Sequence, residues 1–286
     1  MSRRYYGLGL LLMGIFFLAS CANAPKAEQK ELNFFPEQAD LYLHINVPAF
    51  RKLGKALAKD WDKDQKKALS KGMQFTRHVA FYKDEATLMM RAMGTYPQSM
   101  VLKELMKSPE LTQVDTYTFR MNEPVTNIPK QGETFFDIHI PKSGIMYLSN
   151  HLERELKSMQ TRSEPNFSPY VRSSFLSTKN AVIYLPDFSK FLQQYMDSTP
   201  LPVSIHGLLM SIEPKGSKYQ IEALILFSDN AQERRMLMAQ SRFISSAFAN
   251  NKVMQDLSFS EIEEGVLFTF SIKHKDLVNL LSRKKS

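Results

Sequence analysis

One cysteine in 286 residues is too few for a disulfide framework, a Cys-x-x-Cys redox pair or a thiolate zinc cage. Glycine is scarce as well, eleven in all. No G-x-G-x-x-G or G-x-x-x-x-G-K occurs to cradle phosphates, no G-x-S-x-G to present a nucleophile and no H-E-x-x-H to hold zinc. The single S-x-x-K match, Ser282 to Lys285, is at the C-terminus, where nothing would shield a nucleophile from water. Long apolar runs are missing too. Gly7 to Ser20 is uncharged, but fourteen residues span about 21 Å as a helix, short of the ~30 Å hydrocarbon core. A permanent transmembrane helix is therefore not expected. The remainder is ordinary, 43% hydrophobic and 23% charged, which describes a globular chain of one large domain or two of about 120 residues.

Arg3 and Arg4 precede the apolar stretch, which ends in small residues just before Cys21. A cationic start and a short apolar segment have the layout of a secretory signal. Leu18-Ala19-Ser20-Cys21 resembles the lipobox of bacterial lipoproteins, an aliphatic residue and two small ones before a cysteine. In that family the thiol takes a diacylglyceryl group, the signal is cleaved ahead of it, and the new amine is usually acylated. The resemblance covers residues 1–21 and fits every lipobox position. It implies a signal peptide over 1–20 and a membrane anchor at Cys21. Ser2-Arg3-Arg4 is also similar to a twin-arginine signal, but the strongly apolar core and short basic start favour the general secretory route. Ala22 follows the cysteine. In Gram-negative lipoproteins an Asp there often signals inner-membrane retention, so the resemblance implies the outer membrane, facing the periplasm or the cell surface. Each buried acyl methylene contributes about 0.8 kcal/mol, so several chains make a stable anchor.

Export changes how the net charge of +8 reads. Residues 1–20 hold two Arg and no acid, leaving 35 Lys and Arg against 29 Asp and Glu in the mature chain. Outside the inner membrane, the counter-charges expected are anionic lipid headgroups, lipopolysaccharide, wall polymers or an acidic envelope protein, and not nucleic acid.

Residues 22–33 (ANAPKAEQKELN) are small and polar without apolar periodicity, a tether following Cys21. Gln160 to Arg172, with two prolines, reads as a second break. Between and after these breaks the order of elements recurs. Leu41 to Asn46 is a strand and Val47-Pro48-Ala49-Phe50-Arg51-Lys52-Leu53 opens a helix; Ala181 to Tyr184 is a strand and Leu185-Pro186-Asp187-Phe188-Ser189-Lys190-Phe191 opens a helix. Two strands, a helix, a hairpin and a last helix follow in each copy, with turns at Pro141-Lys142-Ser143-Gly144, Pro214-Lys215-Gly216-Ser217 and Glu263-Glu264-Gly265. Asn230 and Glu233 mark the start of a helix reaching about Ala249, with Met236, Leu237, Phe243, Ile244, Ala247 and Phe248 as its buried stripe. The expected architecture is α+β: two tandem similar domains, 34–160 and 173–286, joined by a linker at 161–172. Each is an antiparallel sheet with helices packed on one face, in the order β-α-β-β-α-β-β-α. This layout is similar to that of uncharacterised exported lipoproteins with duplicated α+β domains, a resemblance that brings no site residues.

Three groups of residues are candidates for function. Asp137 and His139, two apart on a strand, share a face and could jointly ligate a metal or act as acid and base. Tyr42, His44 and Asn46 form another polar strand face in the same copy, and His44 could join them; the second copy has Val182 at that place. Lys55, Lys59, Lys63, Lys67 and Lys71 recur every fourth residue beside Lys52 and Lys66, a slanting basic stripe opposite Phe50, Leu53, Leu57 and Trp61. It could meet an anionic surface or an acidic partner, although Asp60, Asp62 and Asp64 interrupt it. Third, several of the sixteen methionines fall in strands and serve there as core filler. The reading these observations favour is a lipid-anchored envelope protein of binding or scaffolding type, without catalysis, cofactor or metal. Its alternatives are a metal-assisted envelope hydrolase on Asp137 and His139, or a surface adhesin.

Overall fold

Proline is tolerated in a helix's first turn because its missing N–H belongs to the donors that no helix pairs. Accordingly β1 (Leu41–Asn46) passes straight into α1 (Val47–Leu57) at Val47-Pro48. The computed structural model describes residues 29–124, 134–177, 181–190, 207–227, 230–248 and 253–282. The basic stripe was expected on one helix, but the chain leaves the helix after Leu57 and starts a new one, α2 (Lys63–Phe75). Asp62 causes the break. Its carboxylate accepts from the Gln65 N–H at 2.8 Å, and the Gln65 side chain accepts from the Asp62 N–H at 3.2 Å, a complete capping box.

The chain divides into two units, one comprising residues up to Ala39 with Ile45–Asn166, the other Asp40–His44 with Phe167 onward. In the first, β2 (Thr76–Lys83) and β3 (Leu88–Gly94) form a hairpin, followed by α3 (Gln98–Leu105). A short pair, β4 (Leu111–Gln113) and β5 (Thr118–Met121), precedes the hairpin β6 (Asp137–Lys142) and β7 (Ile145–Ser149), then α4 (Leu152–Thr161). All pairings in the order β2-β3-β7-β6-β5-β4 are antiparallel.

Residues paired across strands share a face, so Val79, Met90, Ala92, Met146, Leu148, Ile138 and Phe119 line one side. They are buried with Val47 of α1, Leu69 and Met73 of α2, and Val101, Leu102 and Leu105 of α3. The other side carries Tyr82, Met89, Arg91, Asp137 and His139. One end of it is covered by α4 and by a 3-10 turn, Gln29–Phe34, whose Leu32 and Phe34 are buried along with Phe35. Helical segments therefore lie on both faces, not on one. Two faces need cover because Tyr82 and Met89, on the side away from α1–α3, are as buried as the core residues. The 3-10 turn also corrects the tether of 22–33 from residue 29 on. The signal peptide, Cys21, Ala22 and the rest of the tether lie outside the described residues.

In the second unit, α5 (Pro169–Leu176) begins inside the expected linker 161–172. Ser168 caps it, accepting from the Val171 N–H at 3.4 Å, and Pro169 occupies the first turn. Then come β8 (Ala181–Leu185), β9 (Gly207–Lys215), β10 (Lys218–Leu226), α6 (Ala231–Phe248), β11 (Gln255–Ile262), β12 (Gly265–Lys273) and α7 (His274–Ser282). Strand order here is β11-β12-β10-β9-β8-β1. Residues 40–44, expected in the first domain, belong with this unit: Tyr42 stacks on Tyr184 (5.9 Å) and meets Phe167 edge-on (5.1 Å), and Asp40 pairs with Lys190 at 3.1 Å.

Again both faces are covered. Val266, Phe268, Ala223 and Ile225 pack with Leu237 and Met238 of α6. On the opposite face Phe167 joins Phe175 of α5 to Tyr184. Asn230 caps α6 through the Gln232 N–H at 2.8 Å, as expected, but Met236 is 41% exposed instead of buried. The expected stripe residues from Phe243 on lie outside the described side chains. The sequence hairpin–helix–hairpin–helix occurs in both units, as β2-β3-α3-β6-β7-α4 and as β9-β10-α6-β11-β12-α7, with an added β4–β5 pair in the first. In each, the second strands of the two hairpins pair, β3 with β7 and β10 with β12.

Candidate functional site

Asp137 and His139 do share a face on β6, but β5, which sequence reasoning did not anticipate, decides what they do. Its register sets Arg120 opposite Asp137 and Thr118 opposite His139. The Arg120 guanidinium grips both carboxylate oxygens, Nε to Oδ1 at 2.7 Å and Nη2 to Oδ2 at 2.9 Å. A two-pronged charge-assisted pair takes one lone pair of each carboxylate oxygen and fixes the group as the partner of Arg120. The His139 Nδ1 sits 2.9 Å from the Thr118 hydroxyl. Burial lowers the imidazole's proton affinity, and the nearby Asp115 carboxylate restores part of it.

The sign of that shift gives a test. A histidine whose folded pKa is depressed contributes stability at pH above its unfolded pKa, near 6.5, and that contribution disappears as pH falls below it. His139→Gln should therefore flatten the acid side of the stability profile below about pH 6.5 relative to wild type, read by denaturant unfolding at a series of pH values. Identical profiles would show that folding leaves the ring's proton affinity unchanged.

The third proposed partner, His44, is 4% exposed and belongs to the second unit, whereas Asp137 and His139 belong to the first. On the strand face of Tyr42, His44 and Asn46, expected to be polar, Tyr42 and His44 are buried, and Tyr42 is drawn into the aromatic group with Phe167 and Tyr184. Among the described residues no group of three or more His, Cys, Asp or Glu is placed to hold a metal ion.

The lysines are surface residues as expected, but no longer one stripe. Lys55 is on α1, Lys59 in the turn after it, and Lys63, Lys67 and Lys71 on α2; all are exposed. Met89, Met90 and Met146 are buried, in agreement with a core role.

One polar cluster was not foreseen. Glu155, in the first turn of α4, is 5% exposed. The Tyr82 hydroxyl donates to it, Arg162 Nη2 donates at 2.9 Å, and Arg154 Nη2 at 3.0 Å. Arg162 also donates to the Phe34 carbonyl at 2.8 Å, and the Arg91 guanidinium lies over the Phe34 ring at 4.7 Å. Burial pushes the Glu155 carboxyl up, but the hydrogen bonds from Tyr82, Arg162 and Arg154 and the charge of Arg162 outweigh it and hold the carboxyl below its ordinary value. Burial, with the bond to Glu155, drives the Tyr82 phenol well above its own. Every member is committed to another, so the cluster works as a clamp that fixes the 29–35 segment and α4 against β2. The visible signal is slight: Glu155 and Arg162 are seven apart, two helical turns, and Tyr82 is remote in sequence.

No helix among the described residues is long and apolar enough to cross a membrane. No protein-family model matches the chain, and no curated protein matches it. Solved structures do. Three crystal forms of TP0453 are similar: form III with a TM-score of 0.63 at 13% identity over 92% of this chain and 98% of that one; form IV with 0.65 at 13%, over 88% and 96%; and form I with 0.60 at 14%, over 90% and 98%. At such identity the likeness is one of fold. It places the chain among α+β structures with a large antiparallel sheet and several helices.

Proposed function

We propose that this chain is a lipid-anchored bacterial envelope protein that binds or scaffolds instead of catalysing. The observation that carries the reading is Cys21, the sole cysteine, at the end of Leu18-Ala19-Ser20. Ala22 favours the outer membrane. The grip of Arg120 on Asp137 weighs against the hydrolase alternative, since it occupies the carboxylate that alternative needs. We take the body to be a duplication of one α+β unit. Its support is the repeated hairpin–helix–hairpin–helix order with the same strand pairing in each half, together with the strand-Pro-x-Phe-x-Lys opening found 138 residues apart. A duplicated scaffold on a tether suits holding a partner near a bilayer.

Mass spectrometry of the N-terminal peptide tests the anchor. The expected peptide begins at Cys21 and carries a diacylglyceryl group and an amide-linked acyl chain. A peptide beginning at Met1, or an unmodified Cys21, would defeat the reading.

A further inference from the structure

One stretch of the mature chain is strongly basic. Residues 47–77 contain nine Lys and Arg and three Asp, a net of +6, while the rest of the mature chain holds 26 basic and 26 acidic residues. This stretch, on α1, α2 and the start of β2, thus has a net charge equal to that of the whole mature chain. Lys52, Lys55, Lys59, Lys63, Lys66, Lys67, Lys71 and Arg77 are all exposed. Asp62, one of the three acids, is spent on capping α2. Lys71 of α2 and Lys103 of α3 both act on the Glu104 carboxylate, which Lys107, just past α3, bonds at 2.7 Å.

Two further observations say what this surface fits. First, the large apolar side chains exposed among the described residues, such as Met106, Val114, Leu280 and Leu281, all fall outside 47–77. Stable protein interfaces have a buried apolar or aromatic centre; residues 47–77 expose no large apolar side chain to form one. Second, the basic helices and the N-terminal entry lie on opposite faces of the first unit's sheet. α1 and α2 pack on Val79, Met90 and Ala92, whereas Phe34 packs on Tyr82 and Arg91, which point the other way. From Cys21 to Gln29 the chain reaches at most about 28 Å when fully extended. Crossing from the Phe34 side to the outer surface of α2 takes about 25 Å, one helix-packing distance either side of the sheet plus a helix radius, before any detour round the edge.

We infer that the basic face of α1 and α2 is a docking surface for an extended polyanion, a polymer bearing phosphate or carboxylate groups at intervals, presented away from the membrane that holds Cys21. The orientation rests on the anchored reading; the binding does not. Lysines at successive turns match repeating charges without fixing a single geometry, so binding is electrostatic, tolerant of polymer chemistry and weakened by salt.

The probe is fluorescent long-chain polyphosphate. In detergent solution, full-length protein should bind it with an affinity that falls at least tenfold between about 50 and 200 mM salt. Lys63→Glu/Lys67→Glu/Lys71→Glu should cost at least another tenfold, while reversing the exposed Lys142, Lys157 and Lys275 leaves binding unchanged; circular dichroism checks that both variants are folded. Equal losses in the two triple variants, or no binding by wild type, would overturn the proposal. In vesicles, polyphosphate binding should be the same whether the bilayer is pure phosphatidylcholine or contains phosphatidylglycerol. Suppression by phosphatidylglycerol would mean that the face lies on the bilayer, which also overturns it. A chain not retained on phosphatidylcholine vesicles defeats the anchor alone, and the detergent result still reports on the face.

Discussion

Glu155→Leu should lower the melting temperature by about 10 °C or more. Removing one member of a buried ion pair costs about 3–5 kcal/mol, because the partner stays buried without compensation. Here that partner is Arg162, whose side chain is 10% exposed against 7% for Glu155. Arg154, at 57% exposed, loses little by the same change. A protein of this size loses roughly 2–4 °C per kcal/mol. The double variant Glu155→Leu/Arg162→Leu should recover much of the loss, since replacing a whole buried pair by apolar groups is often close to neutral. The carboxyl's depressed pKa adds a sign: the stability it supplies is complete above about pH 4.5 and is lost on acidification through its folded value. A single variant within about 2 °C of wild type would show that the clamp carries no stability.

Gly94→Ala should be nearly as damaging for a purely steric reason. A Cβ at position 94 would lie 2.2 Å from the Phe75 carbonyl oxygen and 3.0 Å from Thr76 Cα, both backbone. Three chain segments converge there: the Thr95 N–H donates to the Phe75 carbonyl and the Gly94 N–H to the Gly144 carbonyl, each at 2.9 Å. Relief requires moving the junction of α2 and β2, a cost of about 2–3 kcal/mol or more. Gly216→Ala is the contrast. Gly216 has φ +63° and nothing within 4 Å of the added Cβ, so only the left-handed backbone penalty of about 1 kcal/mol applies. Chemical denaturation of both variants checks the order; a smaller loss at Gly94 than at Gly216 would contradict the packing described.

Local signals explain which parts of this fold were legible in the sequence. The strand-Pro-helix opening at Val47-Pro48, the glycine turns at Gly144, Gly216 and Gly265, and the Asn230 cap each act within a few residues, and the elements they predict are present. Two misreadings concern local signals given the wrong weight. Asp62-x-x-Gln65 starts a helix, but the lysine spacing runs across it, so a single stripe was expected. Ser168-Pro169 likewise starts α5, although two prolines in a polar stretch suggested a linker. The remaining differences are non-local. The role of Asp137 depends on Arg120, seventeen residues away, on a strand too short to show a pattern. The Glu155 clamp depends on Tyr82 and Phe34, and Tyr42 is packed by aromatic residues more than a hundred positions later. A polar-looking strand face is judged from its own chain, whereas burial is decided by whatever packs upon it.

Membrane partition of Cys21→Ala against wild type tests the central proposal most directly. Cells expressing each are lysed, and membranes are washed at high salt and high pH, which strip electrostatically bound protein but not acyl chains. Wild type should remain in the membrane pellet, in the outer-membrane fraction, and incorporate a labelled fatty acid. Cys21→Ala should incorporate none and leave the washed pellet. If it stays with the membranes as wild type does, or if wild type takes up no fatty acid, the protein is not held by a lipid at Cys21 and the proposed function falls.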